Sequence, residues 1–182
     1  MPVRAYRLGR RQPSVDRTRA AILAAARDLL ADTPAGMLSV GAVARKAGVS
    51  RLTVYNRFGS RAGLLDALAP RLAAVAGDLA GDPKDLLRQR ISGACSAWSA
   101  DPALYRRLPT GAMRGEPEAD RLLAERMAAA DRLRPGCSIK EAQDVIGVLT
   151  AFETFDRLHQ DGRRSAAAVA EILMRLGGGI LA

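Results

Sequence analysis

Three arginines and several hydroxyl and amide side chains are concentrated in residues 47–65, AGVSRLTVYNRFGSRAGLL. Guanidinium, hydroxyl and amide groups are those that hydrogen-bond to the phosphates and base edges of a nucleic acid duplex. The chain has a net charge of +9, and the whole excess lies in residues 1–71, where thirteen Lys and Arg stand against four Asp and Glu. Residues 72–182 carry fifteen of each. This distribution predicts a basic region that binds a polyanion and a neutral region with a different role.

Two short helices joined by a tight turn are predicted to position these side chains. Ser39 and Ser50 each stand where a helix can begin, because their hydroxyl oxygens can accept from the free N–H groups of a first turn. A first helix is predicted from Asp16 and stops before Pro34, a second is predicted over 40–47, where Gly48 ends it, and a third over 51–58. This spacing is typical of a helix-turn-helix.

The apolar residues of this segment are predicted to pack inward and leave the polar ones outward. Val43, Val49 and Val54 form a small apolar seam, and Ala44 is small enough to let two helices cross closely. The remaining side chains are free to face a partner. The predicted DNA-contacting residues are Ser50, Arg51, Leu52, Thr53, Tyr55, Asn56, Arg57 and Arg61.

A helix with this outer face suits the major groove of DNA. Arg51 can offer a bidentate fork to guanine, Thr53 a hydroxyl and a methyl group, and Asn56 an amide. Tyr55 can reach a phosphate, and Arg57 lies where the phosphate backbone would pass. The alternative is an ordinary helical hairpin with a solvated basic face. The concentration of positive charge in the same region favours DNA.

A further helix is predicted to follow Ser60, from Arg61 toward Leu79 with a bend near Pro70. Its first N–H groups, at the positive end of the helix, could hold a phosphate together with Arg61. Residues 1–15 carry four arginines and two prolines and are predicted to form a flexible basic arm that could enter a minor groove.

The stretch LSVGAVARKAGVSRLTVYNRFGSRAGLLDAL, residues 38–68, resembles the DNA-binding region of the TetR family of bacterial transcriptional regulators. The resemblance implies a homodimer whose third helices enter successive major grooves of a double-stranded operator, with Tyr55 and residue 61 on phosphates. Arg57 stands where the family often has histidine, and Arg61 replaces the usual lysine. Both departures keep or add positive charge, so the preferred operator sequence could differ.

The expected fold class is all-α, because alanine and leucine dominate and no convincing strand is found. The domains expected are a basic arm (1–15), a three-helix DNA-binding domain with the helix-turn-helix (16–62), and a helical bundle for ligand binding and dimerisation (63–182). The helices predicted in the bundle are 84–99, 101–107, 117–133, 139–160 and 163–176.

The bundle is predicted to provide a dimer interface and a pocket for a small hydrophobic effector. Small residues at Gly147, Ala151 and Thr154, together with apolar residues of the last helix, could form a two-fold four-helix interface. The bulky or polarisable side chains of the bundle could line such a pocket or simply fill the core. The candidate ligand-binding residues are Cys95, Trp98, Tyr105, Met113, Met127, Phe152 and Phe155. A scarcity of buried charge would favour a neutral effector.

An enzyme is not expected. His159 is the single histidine and is predicted to be an exposed residue at a helix end, and no Gly-rich phosphate loop follows a strand. Cys95 and Cys137 lack partners at ligand spacing, so no metal or cofactor is predicted. The absence of a signal peptide and of a spanning apolar run predicts a cytoplasmic protein. The predicted function is a repressor released by an effector; the alternative is a sensing or interaction module without operator binding.

Overall fold

A computed structural model describes residues 12–70, 81–109 and 116–181 of the chain. The chain divides into two compact units. Unit 1 extends to Leu68 and includes Arg107–Pro109, and unit 2 comprises 69–106 and 110–182. In the part of the chain that is described, the secondary structure is helical apart from one isolated bridge between Leu133 and Leu181. The prediction of an all-α fold is confirmed.

The described helices are divided between the two units. Unit 1 contains α1 (Gln12–Asp32), a 3-10 turn (Ala35–Met37), α2 (Val40–Lys46), α3 (Arg51–Phe58) and α4 (Arg61–Asp66). Unit 2 contains α5 (Pro83–Ser99), α6 (Pro102–Tyr105), α7 (Pro117–Ala129), α8 (Ile139–Thr150), α9 (Phe152–Asp156), a π-helical turn (Arg157–Asp161) and α10 (Ala166–Gly177).

The core of unit 1 lies between α1, α2 and α3. Ile22 and Leu30 of α1 are fully buried, as is Val43 of α2, and Val54 of α3 is buried with them. One face of each helix is thereby used for packing, which leaves the opposite face of α3 outside. The C-terminal end of α1 is capped by Arg107, whose guanidinium donates to the carbonyl oxygens of Leu30 (2.7 Å) and Ala31.

The ends of α1 and α4 differ from the sequence-based expectation. The first helix begins at Gln12 and so takes in the last residues assigned to the arm. A proline is tolerated in the first turn because the N–H that it lacks would have no intrahelical partner there. The fourth helix ends at Asp66, because Pro70 disfavours helical backbone in the residue before it. The remainder of the arm, residues 1–11, and the predicted helix over 71–79 lie outside the described residues.

The predicted continuous helix over 139–160 is wrong, because the chain leaves the helical conformation at Ala151 (φ −68°, ψ 145°). The hydroxyl of Thr150 donates to the carbonyl oxygen of Ile146 (2.9 Å), a local bond that competes with the helix. The freed carbonyl oxygen of Thr150 accepts from the indole N–H of Trp98 (2.9 Å). The break therefore satisfies the one polar atom of a buried tryptophan.

Candidate nucleic-acid interface

The turn between α2 and α3 fixes the direction of α3. Gly48 has φ +67°, a conformation that suits glycine, and the N–H of Val49 donates to the carbonyl oxygen of Ala44 (2.9 Å). Ser50 then caps α3, with its Oγ accepting from the N–H of Thr53 (3.0 Å). The predicted cap at Ser50 is therefore present. Ser39 occupies the N-cap position of α2, but its side chain makes no capping bond.

The outer face of α3 presents long polar and apolar side chains to solvent. Leu52 is 67% exposed and Tyr55 is 48% exposed, although both are large. Arg51, Asn56 and Arg57 are exposed as well. The structure thus brings together on one surface most of the residues that the sequence assigns to DNA.

Ser50 and Thr53 lie on the same turn but have their hydroxyls engaged with each other. Their Oγ and Oγ1 atoms are 2.9 Å apart, and Thr53 is half-buried. These two side chains stabilise the start of α3, so their capacity for further hydrogen bonds is smaller than that of the exposed side chains.

Arg61 points toward the protein rather than away from it. The residue is half-buried, and its Nη2 donates to the carbonyl oxygen of Ala35 in the 3-10 turn. Its Nε is buried and has no hydrogen-bond partner among the described residues. Arg61 therefore holds the turn in this structure, whereas Arg57 is exposed.

The start of α4 is packed closely against the end of α3. Ser60 caps α4 by accepting from the N–H of Gly63 (3.0 Å), as predicted. A β-carbon at position 63 would overlap the carbonyl oxygen of Phe58, so only glycine fits there. One of the N–H groups that could hold a phosphate is thus already used by the cap.

Two further residues, Arg19 and Gly41, shape this surface and are not among those that the sequence assigns to DNA. The Arg19 guanidinium lies 4.9 Å from the centroid of the Phe58 ring, a cation–π contact between α1 and α3. The Arg51 guanidinium lies directly against Gly41 of α2. Both are contacts between helices, which the linear spacing of residues does not reveal.

The part of the chain that carries this basic surface is similar in sequence to known proteins. Residues 22–68 match the model of the family described as bacterial regulatory proteins, tetR family. A stretch of 55 residues is 49% identical to the HTH-type transcriptional regulator AlkX of Mycobacterium tuberculosis. Residues 22–68 of this chain are therefore similar to the DNA-binding region of TetR-family regulators. The match covers 30% of the chain and spans about a quarter, 26%, of the curated relative's length.

The fold of the chain also has relatives among solved structures. NalD of Pseudomonas aeruginosa, the secondary repressor of the MexAB-OprM multidrug efflux pump, has a TM-score of 0.65 at 24% identity, over 91% of this chain and 98% of that one. FadR of Bacillus subtilis, solved in complex with stearoyl-CoA, has a TM-score of 0.63 at 17% identity, over 88% and 98%. At these identities the likeness establishes the fold.

The candidate ligand-binding residues of unit 2 lie in its core. Trp98, Tyr105 and Phe152 pack edge to face, with ring centroids 5.4 to 5.8 Å apart. Cys95, Met127 and Phe155 are buried in the same unit. The structure therefore brings six of the seven together as core; the seventh, Met113, lies outside the described residues.

Two cavities of unit 2 lie away from these aromatic residues. One, of about 530 Å³, lies beside α10 and is lined largely by charged side chains, among them Lys84, Arg88 and Arg175. The other, of about 520 Å³, lies along α5 and α10 and is lined by serines and alanines. Their linings differ from the apolar pocket predicted from the sequence.

Among the described residues, the buried charges are those of one ion pair that α5 and α7 share. Arg90 is 2% exposed, and its Nε and Nη2 lie 2.9 and 2.8 Å from Oδ1 of Asp120. Burial raises the pKa of Asp120 above its usual value, and the positive charge of Arg90 opposes that rise. Sequence reasoning missed the pair because its members are thirty residues apart.

His159 stands in the last helical turn of its segment, as predicted, but its ring is half-buried rather than exposed. The ring stacks on Phe155 with centroids 4.9 Å apart, and Nδ1 lies 2.6 Å from the carbonyl oxygen of Arg164. These contacts give the imidazole a structural role. Over the described ranges, no helix has the length and apolar character needed to span a membrane, and no three His, Cys, Asp or Glu side chains group as metal ligands would.

Proposed function

We propose that this chain is a sequence-specific DNA-binding transcriptional regulator that acts as a homodimer and represses transcription until a small effector releases it. The observation that carries the proposal is the solvent-facing side of α3. Tyr55, Asn56 and Arg57 are exposed there on a helix that Ser50 caps and Gly48 orients, within a region matching the TetR family. Arg51 and Leu52 extend the same surface.

In the proposed complex, α3 lies in the major groove, and some of its side chains contact bases while others contact phosphates. Arg51 and Asn56 contact base edges, and Leu52 offers an apolar contact to a thymine methyl group. Tyr55 and Arg57 contact phosphates, which contributes affinity without sequence preference. Arg61, Ser50 and Thr53 support the reading helix from behind.

The proposed dimer interface uses α8 and α10. Val148 and Leu176 are each 61% exposed, unusual for aliphatic side chains, and α8 packs against α10 in the same protomer. Ile172 is half-buried beside them, whereas Val169 and Leu173 are fully buried in the protomer's own core. A second copy that covers Val148 and Leu176 would form a four-helix contact.

The proposed effector is a small hydrophobic molecule that enters unit 2 beside Trp98, Tyr105 and Phe152. The break at Ala151 lies next to this cluster, so a ligand could displace the Trp98–Thr150 hydrogen bond without breaking a continuous helix. Because coupling is reciprocal, effector and operator must weaken each other's binding by the same factor.

The decisive experiment selects bound duplexes from random DNA with the purified chain and measures the affinity of the enriched site as salt is raised. We expect a near-palindrome whose half-sites lie about one helical turn, roughly 34 to 36 Å, apart, and a steep loss of affinity with salt. The variant Arg121→Ala controls for the general loss of one positive charge. It should select the same site with the same salt dependence, since Arg121 is an exposed arginine of unit 2 that pairs with Glu118. Failure to enrich any site with a folded dimer would favour the sensing or interaction module.

The effector site has its own test, because Trp98 is the only tryptophan in the chain. The neutral apolar probe N-phenyl-1-naphthylamine should change the emission of Trp98 and weaken operator binding. Probe binding that leaves both Trp98 emission and DNA affinity unchanged would contradict this part of the proposal.

A further inference from the structure

Gly41 lies in the first turn of α2 and is buried, although the N-cap residue Ser39 just before the helix is exposed. The group that covers it is the guanidinium of Arg51. A β-carbon at position 41 would lie 2.7 Å from Nε and Nη2 and 2.9 Å from Cζ of Arg51. The guanidinium therefore rests on the backbone of Gly41, at a distance that a side chain at position 41 would not allow.

The backbone itself does not require glycine at position 41. Gly48 and Gly59 have φ of +67° and +70°, whereas Gly41 lies inside a regular helix. Glycine there lowers helix stability relative to alanine. The missing β-carbon instead makes the room in which the Arg51 guanidinium lies.

We propose that Gly41 is a positioning residue for DNA recognition, which places Arg51 and so sets the base preference at the position that Arg51 contacts. The inference rests on the proposed function, because it concerns the reading surface of α3. An exposed arginine samples many rotamers, and a contact that restricts them in the free protein lowers the ordering cost of binding. A side chain at position 41 removes this restriction and redirects the guanidinium.

Gly41→Ala tests the proposal cleanly. The atoms that a new methyl group would meet belong to the far end of a flexible side chain, so Arg51 can move and the fold is retained. Gly36→Ala is the matched control: Gly36 is also in unit 1, in the 3-10 turn, and a β-carbon there meets no atom within 4 Å. Arg51→Ala and the double variant complete a cycle.

The measurement is the affinity of each variant for the selected operator and for every single base-pair change in it. Arg51→Ala should reduce the preference at one base pair per half-site by about 5- to 150-fold. Gly41→Ala should reduce or change the preference at that same base pair, and should have no further effect in the Arg51→Ala background. Gly36→Ala should match the parent protein.

Several outcomes would overturn the inference. They are a Gly41→Ala preference within twofold of the parent at that base pair, an equal loss for all sequences, or effects of the two substitutions that multiply in the double variant. Selection of an operator by the parent protein shows that the proposed function stands even if Gly41→Ala fails. If no operator is selected, the proposed function itself fails.

A second measurement tests the placement of Arg51 without DNA. The Nε–Hε resonance of Arg51 in the free protein, assigned by its loss in Arg51→Ala, should shift in Gly41→Ala and stay unchanged in Gly36→Ala. An unchanged Arg51 resonance in Gly41→Ala would contradict the proposed contact, whatever the DNA result.

Discussion

The two units use arginine in opposite ways. In unit 2 five of the described arginines pair with carboxylates. Among them, Arg106 binds Asp156 through both oxygens, and Arg132 and Arg88 pair with Asp82 and Glu171. In unit 1, Arg51 and Arg57 are exposed and have no carboxylate within ion-pair distance in the described part of the chain. The same residue type therefore serves structure in one unit and leaves charge available in the other.

The difference shows that an arginine's role depends on its partners more than on its position in a helix. Residues 72–182 carry equal numbers of acidic and basic side chains, so a polyanion gains little there. Residues 1–71 carry more basic than acidic side chains, and a duplex that binds this excess of positive charge releases counterions for each phosphate contact. Arg61 and Arg107 are informative exceptions, because they lie in the basic unit and yet donate to backbone carbonyl oxygens of the protein.

The largest expected effect comes from breaking the buried pair of unit 2. Arg90→Met should lower the free energy of unfolding by about 3 to 5 kcal/mol at pH 7, because it leaves Asp120 buried without its counter-charge. Urea unfolding followed by Trp98 emission measures this loss. Arg88→Met is the matched control: its pair with Glu171 is exposed, so the change should stay within about 1 kcal/mol.

The deficit of Arg90→Met should also depend on pH. Burial raises the pKa of Asp120, and Arg90 is the group that opposes the rise, so its removal raises that pKa further. A carboxyl with a raised pKa in the folded state costs stability as pH rises above its unfolded value. The difference from the parent should therefore grow between acid and neutral pH. A stability difference that does not change with pH would contradict the role of the pair. So would a double variant, Arg90→Met with Asp120→Leu, that is no more stable than Arg90→Met.

The next effect separates Arg61 from the exposed arginines of its own unit. Arg61→Met removes the bond to the Ala35 carbonyl and should destabilise unit 1 by about 1 to 2 kcal/mol. Faster amide hydrogen exchange in α1 to α4 would report this loss. The salt dependence of DNA binding should keep its slope. A lower slope with unchanged exchange would instead make Arg61 a phosphate contact.

A smaller effect is expected at Arg57. Arg57→Ala removes one proposed phosphate contact and should reduce the slope of log affinity against log salt by about 1, with little change between sequences. Its stability should change by less than about 0.5 kcal/mol, since the side chain is exposed. Loss of affinity for one base pair only would place Arg57 among the base-reading residues instead.

Local features of this fold could be predicted from the sequence, whereas features that depend on distant partners could not. The turn at Gly48 and the caps at Ser50 and Ser60 are set within a few residues and are found where expected. No proline or glycine marks the helix break at Ala151 in the sequence. The partner of the carbonyl oxygen freed at the break is the indole of Trp98, fifty-two residues from Thr150.

The same limit applies to the candidate sites. Exposure of Tyr55 follows from the apolar spacing of α3, but the inward direction of Arg61 depends on a carbonyl twenty-six residues earlier. Apolar side chains such as Phe152 and Met127 suit a pocket or a core equally well. Their residue types alone do not distinguish the two, since packing density decides between them.

The smallest perturbation compares the packing of unit 2 at two thiols. Burial raises the pKa of Cys95 to about 11, so its thiolate is scarce at pH 8. Cys137 is half-exposed, although its pKa is also raised, by partial desolvation and the nearby charge of Glu141. An aromatic disulfide reagent at pH 8 should therefore modify one thiol of the folded chain quickly, and Cys137→Ser should abolish that phase. Cys95 should react only when unit 2 opens, and it should react faster in Arg90→Met. Fast modification of both thiols in the parent protein would mean that the core of unit 2 is already accessible.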